Sequence, residues 1–442
     1  MRRNLTEGAI APTLLKLTLP MVGGIAAIVA FNLADTYFVG QLGTDRLAAM
    51  SFTFPVVMTL GNLALGLGIG ASSIISRAIG EGDRSRVQRF TTNSLTLGVV
   101  AVAILSSIGL LTIEPLFTAL GAESDVMPYI QEYMSIWYFG MVFLVVPMVG
   151  NSAIRAAGDT FVPSLIMVFS SGLNILLDPL LIFGLWGFPE WGLAGAAWAT
   201  VISRATTLVA SLLVLKFREK MLSNKIPNLV ETFHCWRDIL TIGLPAAGSN
   251  MITPISIGII TSFLAVYGSA TVAGFGVASR VESLAMIVLM ALAASISPFV
   301  GQNWGAKKCQ RVLRALQQSY LFCIGWGIVA AILLALLATQ IVSLFNNNPE
   351  VVAIARTYLL LVPISYGTAG MIQISNSTFN AMGKPLPAVI LTVLRMLVLY
   401  IPLAYVGSLW LGAWGVFLAA TVSNILVGIA AYFWSRRICL ME

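Results

Sequence analysis

Apolar positions run in long unbroken blocks along this chain, and polar positions collect in short clusters between them. Twelve blocks stand out, at about 14–40, 46–72, 90–113, 128–150, 161–184, 191–215, 239–266, 270–299, 315–341, 351–375, 386–406 and 412–434. Each can cross a hydrocarbon core of about 30 Å as a helix. Lipid offers no partner to backbone N–H and C=O groups, so a crossing segment must satisfy them internally. The ten-residue alternation of barrel strands does not occur. The pattern predicts an all-α integral membrane protein of twelve transmembrane helices. The first block is too long for the apolar core of a signal peptide and has no small-residue cleavage site after it, so it is read as a retained helix.

Charge orients these spans. Only 10% of the 442 residues are charged, against about 25% in soluble domains. With the N-terminus in the cytoplasm, nearly all Lys and Arg outside the spans fall on inner loops and ends, among them Arg2, Arg3, Arg77, Arg86, Lys225, Lys308, Arg311 and Arg437. Arg46 alone falls clearly outside. Basic residues stay on the cytoplasmic side, so both termini are expected inside and the expected location is the cell's inner membrane. The +7 net charge is explained by orientation and implies no nucleic-acid partner. The four cysteines show no pairing or metal spacing, and His234 stands alone in an inner segment. No metal site and no cofactor are expected.

The chain also repeats itself. At an offset of 225, Leu19-Pro20 falls on Leu244-Pro245, Gly43 on Gly268, Arg86-Val87 on Arg311-Val312, Tyr133 on Tyr358, Asn151-Ser152 on Asn376-Ser377 and Gly158 on Gly383. Each half then holds six spans. Six is even, so the halves share an orientation and are expected to be related by a pseudo-two-fold axis along the membrane normal. The expected division is an N-lobe over 1–215, a cytoplasmic linker over 216–238 and a C-lobe over 239–442. Two similar bundles that rock against each other suit a carrier better than a pore, and no ATP motif is present, so a secondary transporter is expected. "GLGIG" at 66–70 lies inside a span with no strand before it, and reads as close helix packing.

Embedded charge marks the chemistry. A carboxylate at the centre of a span costs roughly 2.5–3.5 kcal/mol, so it is kept for a reason. Asp35 lies near the end of span 1 and Asp178 in span 5, and at the repeat offset they fall on Ile260 and Leu403. The acids are thus confined to one half. Arg204, Arg280, Glu282 and Arg395 lie in or near the spans, and structural pairing is expected for most of them.

These features resemble a known family. "LPM" opening span 1, "NLADTYFVGQLG", "RAIGEGD" after span 2, "NSAIRAAGDTFVP" after span 4 and "GQNWGAKK" after span 8 are similar to the MATE multidrug and toxic-compound exporters over essentially the whole chain. Acids in spans 1 and 5, with "NILLDP" in span 5, resemble the DinF-like branch. Relatives in the NorM-like branch also carry acids in spans 7 and 10. Here span 7 has none, and span 10 offers Gln373, Asn376 and Asn380. That departure argues against their C-lobe cation site.

Asn174 and Asp178 are four apart and share a helix face. Asp35 and Asp178 sit at similar depth in the outer half. A hydrogen-bonded cluster of Asp35, Asn174, Asp178 and Thr200 is expected inside the N-lobe, and the resemblance places functional residues at these four positions. Burial and a second carboxylate both favour the protonated form of an acid, which makes the cluster a proton exchanger. Na⁺ is the rival coupling ion, since two carboxylates, an amide oxygen and a hydroxyl are hard ligands. Asn32 and Asn151 are expected at the substrate cavity, and Pro20, followed by Gly23-Gly24, at a bend of span 1. The expected function is export of amphiphilic organic cations or drugs by cation antiport and alternating access, as a monomer in the bilayer. A lipid-linked sugar flippase would need a basic cavity. An intramembrane aspartyl protease would need Gly-x-Gly-Asp, which Gly158-Asp159 does not supply.

Overall fold

In the computed structural model, which describes residues 5–223 and 228–440, the protein is built from helices. Twelve are long and apolar enough to span a membrane: α1 Ile10–Gly40, α2 Arg46–Glu81, α3 Arg84–Ala119, α4 Met127–Ala156, α5 Phe161–Phe183, α6 Gly192–Arg218, α7 Leu229–Ala265, α8 Ser269–Gly305, α9 Cys309–Ser343, α10 Pro349–Ala381, α11 Pro385–Leu411 and α12 Ala413–Cys439. Large apolar side chains such as Leu111, Leu321 and Leu336 point outward from them, which suits lipid rather than water. Arg2, Arg3 and Lys225, counted above as inner charges, lie outside the described residues.

Packing divides the chain into two units. Among the described residues, Leu19–Ala247 form the first, and 5–18 with 248–440 form the second. These limits differ from lobes cut at 215 and 239, for two reasons. Leu14 and Leu17 at the start of α1 bury into the second unit's core with Ile260 and Leu264. The first half of α7 packs on α2 at glycines. A Cβ on Gly66 would stand 2.4 Å from the Gly243 carbonyl oxygen, and one on Gly70 2.4 Å from that of Ile239. "GLGIG" is therefore a helix-packing stripe. Gly70→Val drives a branched side chain into the α7 backbone, and overpacking of this kind costs about 3 kcal/mol or more. The expected result is poor membrane yield and a lowered melting temperature in detergent, read by thermal shift. An unchanged melting temperature would mean that α2 and α7 do not pack this closely.

The stretch expected as a linker over 216–238 is helical from Leu229 onward. Thr232, Cys235, Ile239 and Ile242 are all buried, and their three- and four-residue spacing makes one helical stripe. His234 sits on this helix with Nδ1 2.8 Å from the Val230 carbonyl. Ahead of α7 the chain is fastened to α3. Arg84 Nη2 donates to the Glu219 and Lys220 carbonyls at 2.6 and 2.9 Å, and Ser223 N donates to Thr92 Oγ1 at 2.9 Å. The segment before α1 is held at the junction of α8 and α9 in the same manner. Asn303 Nδ2 donates to the Leu5 carbonyl at 3.1 Å, Lys308 Nζ to that of Thr6 at 3.0 Å, and Arg311 Nη1 to that of Gly8 at 2.9 Å. The basic loops thus also anchor the segments that lead into α1 and α7.

The internal repeat has a backbone basis. Gly43 and Gly268 precede α2 and α8 with φ of 106° and 100°, and Gly158 and Gly383 precede α5 and α11 with φ of 86° and 78°. Side chains with a Cβ resist these positive values. Three spans are irregular, and α6 ends in a π stretch, Val214–Arg218. A 3₁₀ stretch, Val362–Ser365, interrupts α10 at Pro363, which has no N–H to give the ladder. A π turn, Leu394–Tyr400, lies within α11 just ahead of Pro402.

Candidate functional site

Within the first unit, α5 and α6 bring together most of the polar residues singled out above. Asp178 is fully buried on α5, and Asn174 lies one turn before it, also buried. Thr200 on α6 faces them: the Asn174 amide lies 3.3 Å from Thr200 Oγ1. Its nitrogen donates to Asp178 Oδ2 at 3.0 Å, and its oxygen accepts from Thr200 N at 3.2 Å. Asp178 Oδ1 is buried with no hydrogen-bond partner.

Asp35 on α1 is half-buried and within electrostatic reach of Asp178. Another carboxylate is thus the charge that acts on Asp178; among the described residues no Lys or Arg forms an ion pair with either acid. A buried ionised group without a partner is strongly disfavoured.

The other candidate residues separate from this group. Asn32 is exposed on α1. Asn151 is buried near the inner end of α4 with Oδ1 unpartnered. It is five residues from the end of its helix, whereas Asp178 is seventeen residues into α5. At 1.5 Å per residue this puts them roughly 18 Å apart in depth, so Asn151 is not part of the acid cluster. Pro20 does not end α1, which runs unbroken through it. Its missing N–H leaves the Lys16 carbonyl without a helical partner. Beyond it, α1 lies close on α5: Ser164 Oγ is 3.4 Å from Met21 Sδ, and a Cβ on Gly24 would meet Ser164 Cα at 3.1 Å.

Tyr133 was missed by sequence reasoning. It is buried on α4 within reach of both Asp35 and Asp178. Its signal was the match to Tyr358 across the repeat, which served only to set the offset.

The MatE family profile matches residues 20–180 and 245–406. The second match begins 225 residues after the first, the offset of the internal repeat. A FAD transporter of Shewanella oneidensis is 39% identical over 99% of this chain and 97% of its own length. The probable multidrug resistance protein YoeA of Bacillus subtilis is 27% identical over 97% of this chain and 93% of its own. Among solved structures, a mutant of the Vibrio cholerae MATE transporter VcmN superposes with a TM-score of 0.93 at 30% identity, covering 98% of both chains. VcmN in its bent form gives a TM-score of 0.91, with the same identity and coverage. With both halves matched and the twelve-helix fold shared, the chain belongs to the MATE family of multidrug efflux transporters: it is a membrane carrier and not an enzyme.

Proposed function

We propose that this transporter is a proton-coupled exporter of amphiphilic organic cations, with Asp35, Asn174, Asp178 and Thr200 as the coupling site. The observation that carries this reading is Asp178 itself. It is fully buried, it lies within electrostatic reach of another carboxylate, and the Asn174 amide donates to it. A group so placed is neutral when it holds a proton, and it becomes costly when it loses one. Na⁺ is the alternative ion. A hard metal cation takes a cage of several oxygens, whereas a proton needs only one. The orphaned Oδ1 of Asp178 meets that smaller requirement. The working unit is a monomer in the inner membrane with both termini in the cytoplasm, and transport proceeds by alternating access.

Helix α1 supplies the motion. Pro20 weakens it at its inner third, and Asp35 rides on the far side. VcmN has been captured in a bent form, and bending of α1 as its acid changes charge fits the same backbone defect. Pro20→Ala restores one helical hydrogen bond and stiffens α1. The expected result is reduced efflux at near-normal expression. Unchanged resistance across several drugs would make Pro20 a static feature.

A second substrate class has a specific observation in its favour. The relative at 39% identity is named a FAD transporter, while the multidrug relatives stand at 26–27%. Arg204 lies 6.0 Å from the Phe31 ring centre, and a cation beside an aromatic face could receive a flavin nucleotide. The test is efflux from proteoliposomes loaded with ethidium or with FAD, under ΔpH alone and ΔNa⁺ alone. Ethidium concentrated by ΔpH supports the primary reading. FAD export without ethidium export replaces the substrate, and drive by ΔNa⁺ alone replaces the ion.

A further inference from the structure

We propose that Glu282 is a second proton-exchanging carboxyl of this transporter, housed in the second unit and separate from the Asp35–Asp178 pair. The acids of spans 1 and 5 have no counterparts at the repeat offset, so the second half looked empty of coupling chemistry. The fold supplies an acid from another helix. Glu282 lies on α8, and Oε2 accepts a hydrogen bond from the Tyr358 hydroxyl on α10. Tyr358 is the repeat partner of Tyr133, the tyrosine within reach of both acids in the first unit. The same position in each half thus meets an embedded carboxylate, although the carboxylates come from different helices.

The surroundings hold this acid in place without fixing its charge. The Tyr358 ring is wedged edge-on against Phe275 and Phe417, with centroids 5.7 and 5.1 Å away, so its hydroxyl has little freedom. Arg395 on α11 is within electrostatic reach of Glu282, but no ion pair joins them among the described residues, and Arg395 Nε is buried without a hydrogen-bond partner. Tyr400 on α11 and Tyr366 on α10, whose buried hydroxyl is unpartnered, lie within electrostatic reach of Glu282. Arg280, two residues along α8, is exposed. The π turn Leu394–Tyr400 explains how α11 contributes twice. Hydrogen bonds that span five residues bring positions 395 and 400 toward one face. Such turns concentrate at functional sites.

A carboxylate with one hydroxyl donor and an arginine held off from direct contact is incompletely compensated. Intramembrane ionisable residues of this kind mark ion and proton pathways. A hard metal cation needs several oxygens, whereas a proton needs only the one that Glu282 supplies. Protonation joins H⁺ to a Glu282 oxygen and neutralises it. Release restores the charge that Tyr358 and Arg395 stabilise.

The role in transport rests on the proton-coupled reading above, but protonation can be measured apart from it. Infrared difference spectra of the full-length protein in nanodiscs, titrated between acid and alkaline pH, report the carbonyl stretch of protonated carboxyls. In an Asp35→Asn/Asp178→Asn background a pH-dependent carboxyl band should remain, and adding Glu282→Gln should remove it. Tyr358→Phe keeps the acid and deletes its hydrogen-bond donor, so it should move the midpoint of that band. If Glu282→Gln folds poorly, the Tyr358→Phe shift alone decides. A spectrum unchanged by Glu282→Gln, or a midpoint unmoved by Tyr358→Phe, would overturn the assignment. Transport drive unchanged in Glu282→Gln, with these band changes intact, would overturn its role in coupling instead.

Discussion

Asp178→Asn should leave a folded protein that has lost the proton drive of its first unit. The amide has nearly the shape of the carboxyl, and with Asn174 beside it the local hydrogen bonds can be rebuilt. What disappears is the exchangeable proton. One proton per cycle draws about 1.4 kcal/mol from each unit of ΔpH, equivalent to a tenfold substrate gradient. At a ΔpH of two units that proton is worth a gradient near a hundredfold, and the variant should lose this factor. Asp35→Asn should act in the same direction, because the carboxylate that acts on Asp178 is then gone. Dye efflux from inverted vesicles reads both, with thermal melts in detergent as the control for folding. Concentrative efflux by Asp178→Asn at the parent rate would mean that the acid is only a packing group.

The sequence made the spans legible because hydrophobic length is set by bilayer thickness, and any run of about 20 apolar residues stands out. It did not make the helix ends legible. The block at 46–72 belongs to a helix that continues to Glu81, and the block at 239–266 to one that starts at Leu229. Once a helix leaves the hydrocarbon, its residues turn polar while the backbone pattern continues. Thr232 and Cys235 are buried inside such an extension, but among Glu, His, Arg and Asp they looked like linker. The Asp178–Asn174 pairing could be read because spacing along one helix is known in advance. The meeting with Thr200 was expected from the family resemblance, which places a functional residue at that position. Tyr133 and the Glu282–Tyr358 contact could not be found this way, since a tyrosine inside an apolar run has little contrast and partners on different helices are fixed only by packing. Glu282 was expected to pair structurally, and it does take a hydroxyl partner, although Arg395 stays apart from it.

The number of protons per cycle should be readable from voltage. Asp35 and Asp178 act on each other, and close carboxylates release their protons in separate steps, so the first unit supplies about one labile proton near a given pH. Exchange of one proton for a monovalent cation moves no net charge and gains nothing from membrane potential. A second proton on Glu282, exchanged in the same cycle, brings one net positive charge inward. Each 100 mV then adds about 2.3 kcal/mol, close to fifty-fold in the gradient that can be held. Proteoliposomes with ΔpH and ΔNa⁺ set to zero and a potassium–valinomycin potential imposed separate the two cases. With ethidium as substrate, the parent protein should concentrate dye in response to voltage, beyond its distribution in empty liposomes. Glu282→Gln should lose that response while retaining drive from ΔpH through the first unit. Voltage-independent exchange by the parent protein would limit the cycle to the single proton of the Asp35–Asp178 pair. A voltage response that survives Glu282→Gln would place the second charge on the aspartates, with both exchanging in one turnover.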